Sequence, residues 1–146
     1  IRFPDAAYHY LPTIENSYAF LVEQAITPIC DDGAETFYLH LAHPTKTRFI
    51  ACALEYSEVL EDFGSNFNAL LAHLLIQLYE FSEKPINELA DIGLGLGFKK
   101  AALLFSALEQ ATREGTRATF ESEAMWRKKY LPVILSDKNL PTSSKP

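Results

Sequence analysis

Four histidines and two cysteines are the side chains of this protein best suited to acid–base, nucleophilic or metal chemistry, and their spacing assembles none of it. His40 and His43 flank Leu41-Ala42 in an apolar, strand-like run. Residues three apart in an extended strand point to opposite faces, and no third ligand is in view, so a metal pair is not expected. His73 lies in a strongly apolar helical segment, where a histidine is usually a hydrogen-bonded core residue rather than a base. Cys30 and Cys52 have no CxxC spacing, and Cys52 sits within an apolar run. Both read as free thiols, Cys52 inert and buried, in a reducing compartment. Arg127-Lys128-Lys129 is the only basic cluster, and nucleic-acid binding needs cations distributed along a groove. No catalytic residue, resident metal or cofactor is expected, and nucleic acid is not an expected partner.

One segment has a different character. Asp91-Ile92-Gly93-Leu94-Gly95-Leu96-Gly97 reads D-x-G-x-G-x-G, and here the sequence resembles the glycine-rich loop of S-adenosylmethionine-dependent methyltransferases. Glycines let backbone pass close to a ligand, and the N-terminus of a following helix favours a carboxylate. The resemblance implies a cofactor loop of Asp91, Gly93, Gly95 and Gly97. It further implies an acidic residue about twenty positions on, Glu121 or Glu123, to hold ribose hydroxyls.

The elements that must position these residues follow from periodicity. Ile14 to Ile26 carries apolar residues at three- and four-residue spacing behind Thr13, which predicts a helix over 14–26 closed by Thr27-Pro28. Asp31-Asp32-Gly33 is a turn. The runs Phe37–Leu41 and Arg48–Leu54, joined across His43-Pro44-Thr45-Lys46, predict a hairpin at about 36–54. Its second strand is apolar on both faces and suits a position covered on both sides. Glu55, Glu58 and Asp62 fall at helical spacing and read as a solvated acidic face.

From Phe67 to Phe81 a helix is predicted whose apolar residues cover far more than one stripe. Such a helix lies either at the centre of a fold or against a partner, and Leu75, Ile76 and Tyr79, with Trp126 further on, are its candidate partner-binding residues. Pro85 starts a short helix ending before Gly93, Gly93–Gly97 is a loop, and a helix over about 98–114 stops at Gly115. Thr116 to Phe120 is then either a strand or the approach to a last helix. In the second case Thr119 is the cap, Arg127-Lys128-Lys129 form the last turn and Pro132 is the stop.

The bulk properties bound the function. The chain of 146 residues is 48% hydrophobic and 22% charged, and the sequence predicts one α+β domain over 1–135. A small antiparallel sheet would be packed by four to five helices, with a flexible tail at 136–146. The 49 residues from Phe98 to Pro146 are fewer than a doubly wound cofactor-binding sheet requires. No signal-peptide pattern opens the chain and no apolar run approaches the roughly 20 residues of a membrane span, which predicts a cytoplasmic protein without a membrane partner. Charge is uneven: residues 1–91 hold 14 acidic and 4 basic side chains, and residues 92–146 hold 5 and 9. An acidic chain with an over-apolar helix and no catalytic set is expected to be a non-catalytic adaptor or chaperone-like subunit. Its partner would be another protein or a second copy; the alternative is a methyltransferase-like domain built on the Asp91–Gly97 loop.

Overall fold

The structure is a computed structural model that describes residues 18, 21, 25–43, 46–53 and 59–136. Among these it holds one four-stranded antiparallel sheet and four helices, an α+β composition. Contacts gather into two compact units, residues 1–70 and 71–146. Most of the predicted 14–26 helix, the turn at 44–45 and most of the tail lie outside the described residues.

The first unit is a meander in which β1 (Ala25–Asp31), β2 (Thr36–His43), β3 (Lys46–Ala53) and β4 (Glu61–Asp62) pair in chain order. The expected hairpin is β2–β3, in register from Thr36↔Ala53 to His43↔Lys46. Alternation puts Phe37, Leu39, Leu41, Ile50 and Cys52 on one face, where they form a core with Tyr18 and Leu21. Ala51 and Ala53 of the opposite face are also buried, so β3 is covered on both sides as its composition predicts. The Tyr18 hydroxyl accepts the Ala53 N–H at 3.1 Å, tying the segment before the sheet to β3.

Two expectations fail in this unit. Ala25 and Ile26 open β1 rather than ending a helix. Pro28 was the misleading residue: it cannot donate to a ladder, but β1 is an edge strand and its register shifts between Pro28 and Cys30, a context that tolerates proline. Glu61 and Asp62 form the second edge strand, paired with Ala51 and Ile50, rather than following the helical spacing read for Asp62; both are exposed, as a solvated acidic segment is, and Glu55 and Glu58 lie outside the described residues. The turn at 31–33 is as expected. Asp31 accepts from the Gly33 N–H at 2.7 Å, Asp32 accepts from Ala34 and Thr36, and Gly33 takes φ 82°.

The division into units falls inside α1 (Phe67–Phe81), whose bounds match the prediction. The second unit continues with α2 (Ile86–Gly95), α3 (Ala101–Glu114) and α4 (Phe120–Leu135). Leu71, Ala72, Leu75 and Ile76 of α1 pack with Leu89 of α2, Leu104, Phe105 and Leu108 of α3, and Trp126 and Ile134 of α4. The glycine-rich segment is not a loop. Gly93 and Gly95 are helical, and α2 closes with Gly97 N–H on the Leu94 carbonyl and Phe98 N–H on the Gly93 carbonyl, Gly97 being left-handed at φ 88°. The same closure ends α3 at Gly115.

Helix α4 begins as the capped alternative predicts: Thr119 accepts from the Ser122 N–H and Ser122 reciprocates. It does not end at Pro132. That proline is inside the helix on an exposed face, so Arg127-Lys128-Lys129 occupy the middle of α4 rather than its last turn. No helix among the described residues is long and apolar enough to cross a membrane.

Candidate functional site

In the second unit the most elaborate side-chain arrangement surrounds Arg117, in the turn between α3 and α4. Its side chain is 6% exposed. The guanidinium donates to Glu123 of α4 and to Glu80 of α1, each at 2.5 Å, and its carbon lies 5.1 Å from the Trp126 ring centroid and 6.0 Å from that of Tyr79. Glu123 also accepts from Arg127 at 2.7 Å. Two guanidiniums and two carboxylates thus balance, which a cluster this sheltered requires. Burial disfavours both charges, but mutual hydrogen bonding outweighs it. The Arg117 pKa is raised and that of Glu123 is lowered from the ordinary values.

His73 of α1 joins the same network. Arg127 lies 3.2 Å from its Nδ1, and the Gln77 side-chain amide lies 3.2 Å from its Nε2. A guanidinium only donates, so Nδ1 is the bare nitrogen that accepts from Arg127. Burial, then the Arg127 charge, push the His73 pKa down to about 4. At neutral pH the half-buried ring is uncharged with a neighbour at each nitrogen, and is poorly placed to act as a general base.

The two cysteines are also quiet. Burial raises the Cys30 pKa to about 11 and that of Cys52 to about 12, and a protonated, enclosed thiol is a weak nucleophile. Among the described residues no group of three or more His, Cys, Asp and Glu side chains is placed to hold a metal ion.

The network fixes the inner face of α4, and the outer face is where the helix offers surface. Beside Trp126 an open groove of about 470 Å³ is lined by Met125, Lys128, Lys129 and Tyr130. Met125 is 66% exposed, Phe120 99%, and Tyr130 and Val133 are each 41% exposed. Lys129 Nζ stands 5.1 Å from the Tyr130 ring centroid.

The residues singled out from sequence are distributed as follows. Leu75 and Ile76 are fully buried in the helical core and present no surface to a partner, because α2, α3 and α4 of the same chain cover them. Tyr79 is packed against that core with its hydroxyl 2.9 Å from Thr112 Oγ1, and with Trp126 it sandwiches the Arg117 group. Trp126 is 4% exposed, with its accessible edge in the groove.

Asp91 is exposed on α2, preceded by helix where a cofactor loop has a strand. Gly93 is buried: a Cβ built on it would lie 2.6 Å from the Ala101 Cβ and 3.2 Å from Leu75. The missing side chain is what lets α2 approach Ala101 and Leu75 this closely. Gly95 has open space around it, and Glu121 is exposed in the first turn of α4.

Sequence reasoning missed Arg117, Glu80 and Met125. The Glu123–Arg127 pair was visible as an i,i+4 spacing, whereas Arg117 and Glu80, 37 residues apart, meet only through the tertiary fold. Comparison with protein-family models, curated proteins and solved structures found no match to this chain.

Proposed function

We propose that the protein is a non-catalytic, protein-binding subunit that works in an assembly, and that the outer face of α4 is its binding surface. The observation that carries this reading is the contrast within one helix. The inward side of α4 carries Glu123 and Arg127 in ion pairs, while Met125 and Tyr130 line the open groove beside Trp126 and Phe120 and Val133 are exposed elsewhere on the helix. Met125, Trp126 and Tyr130 line one open groove, and contiguous apolar surface of this kind marks interaction sites in folded proteins. Trp, Tyr and Met flanked by lysines are also side chains that protein interfaces favour at their centre and rim.

A photo-crosslinking side chain at position 125 tests this in cells. The expected result is discrete heavier adducts from position 125 and none from Glu109, an exposed polar position on α3. Equal or absent crosslinking at the two positions would remove the assignment of α4.

A further inference from the structure

The outer stripe of α4 is self-complementary, and we infer that its occupant is α4 of a second copy, packed antiparallel about a two-fold axis. The inference rests on the protein-binding reading of α4 and specifies the partner.

Glu121, Met125, Lys128 and Pro132 are all exposed and follow one another at i, i+4, i+7 and i+11, so they form a single stripe along the helix. The two charges in the stripe are opposite and two turns apart, about 10 Å along the axis, too far to pair within their own helix. Glu123 and Arg127, by contrast, are one turn apart on the inward side and do pair. Among the described residues neither Glu121 nor Lys128 has an ion-pair partner.

A second α4 laid antiparallel, with the axis passing between Ala124 and Met125, satisfies both charges at once. Glu121 then meets the partner's Lys128, Lys128 meets the partner's Glu121, and Met125 lies beside the partner's Met125. A closed two-fold contact uses the same patch on both copies, as this one does. Parallel packing would instead set like charges against each other, and antiparallel helix dipoles favour the arrangement further. Because each stripe carries one charge of each sign, a uniformly acidic or basic partner would leave one of them opposed.

Sedimentation velocity of the full chain, from about 1 to about 300 micromolar at low salt, reads the self-association, and charge exchange identifies the surface. Glu121→Lys leaves only positive charge on the stripe and Lys128→Glu only negative charge. Each alone is expected to raise the dimer Kd at least about tenfold, and an equimolar mixture of the two to associate at least as tightly as the wild type, since every charge then meets its opposite. Met125→Glu, at the centre of the stripe and exposed, is expected to give a folded monomer.

A wild type that stays monomeric while position 125 crosslinks to a different protein would overturn self-pairing and leave the protein-binding reading standing. If the wild type is monomeric and nothing crosslinks, both fall. A dimer indifferent to both charge variants, or two variants that fail to rescue each other, would place the contact on another face.

Discussion

Helices α1 and α4 are the most instructive pair in the molecule. By composition α1 is the obvious interaction helix: Leu70, Leu71, Leu74, Leu75 and Ile76 are all nearly or fully buried, and its sequence is apolar around most of its circumference. In the structure three further helices of the same chain pack on Leu71, Ala72, Leu75 and Ile76, and apolar exposure on α1 is confined to its ends at Phe67 and Phe81. Helix α4 reads as an ordinary charged helix, yet it turns its ion pairs inward and leaves Phe120 and Met125 at the surface. Apolar content therefore measures how much cover a helix needs. Where the rest of the chain supplies that cover decides which helix is left with a surface to offer.

The largest effect separating the two helices should come from truncating an apolar side chain on each. Leu75→Ala removes a fully buried side chain among α2, α3 and α4 contacts and is expected to cost about 2–5 kcal/mol in chemical denaturation. Met125→Ala, on an exposed face of α4, is expected to change stability by less than about 0.5 kcal/mol. Comparable losses at the two sites would mean that the α4 face is packed and would erase the contrast.

A smaller effect tests the polar connection between the two helices, since His73 of α1 meets Arg127 of α4. The folded pKa of His73, about 4, lies below its ordinary value of 6.5, so between those values the unfolded chain binds more protons. The stabilisation from keeping His73 neutral is complete above pH 6.5 and is lost as pH falls toward 4, to a limit of about 3 kcal/mol. Glu123, whose pKa is also depressed, adds a loss at lower pH as its carboxylate is protonated. His73→Gln, which does not titrate, should flatten the melting-temperature profile between pH 6.5 and 4 and leave the steeper acid limb. A wild type with no slope in that window would show that the ring is accessible and able to charge in place.

Much of the fold was legible in sequence, but unevenly. The hairpin of β2 and β3, the span of α1, the stop at Gly115 and the cap at Thr119 follow from local signals that tertiary contacts had no reason to override. Pro28 and Pro132 misled for one reason: proline is costly in the middle of a ladder or helix, and the cost is tolerated at an edge strand or an exposed helix face, which only the assembled fold reveals. The candidate site was the least legible part. Trp126 and Tyr79 were singled out as surface anchors, but Arg117 draws both into a buried cluster, and a cation 38 residues from Tyr79 leaves no local trace.

The glycine run of α2 gives the finest test, because it asks how closely the cover over α1 is fitted. If Gly93 is glycine because α2 presses on α3 and α1, any Cβ there must displace Ala101, whose Cβ would stand 2.6 Å away, and Leu75 at 3.2 Å. Gly93→Ala is then expected to cost about 1–3 kcal/mol through overpacking. Gly95 is helical too, but a Cβ on it meets no heavy atom within 4 Å and its φ is not positive. Gly95→Ala should therefore raise stability by about 0.5–1 kcal/mol, the ordinary gain from replacing a helical glycine. The two substitutions are chemically identical and two residues apart, so opposite signs would isolate the packing contact from any general effect on the helix. If instead Gly93→Ala is neutral while Gly95→Ala is harmful, the backbone near Gly95 must be approached by something other than this chain's own helices. The run would then serve a ligand, as its resemblance to a cofactor loop implies, rather than the closure of the core over Leu75.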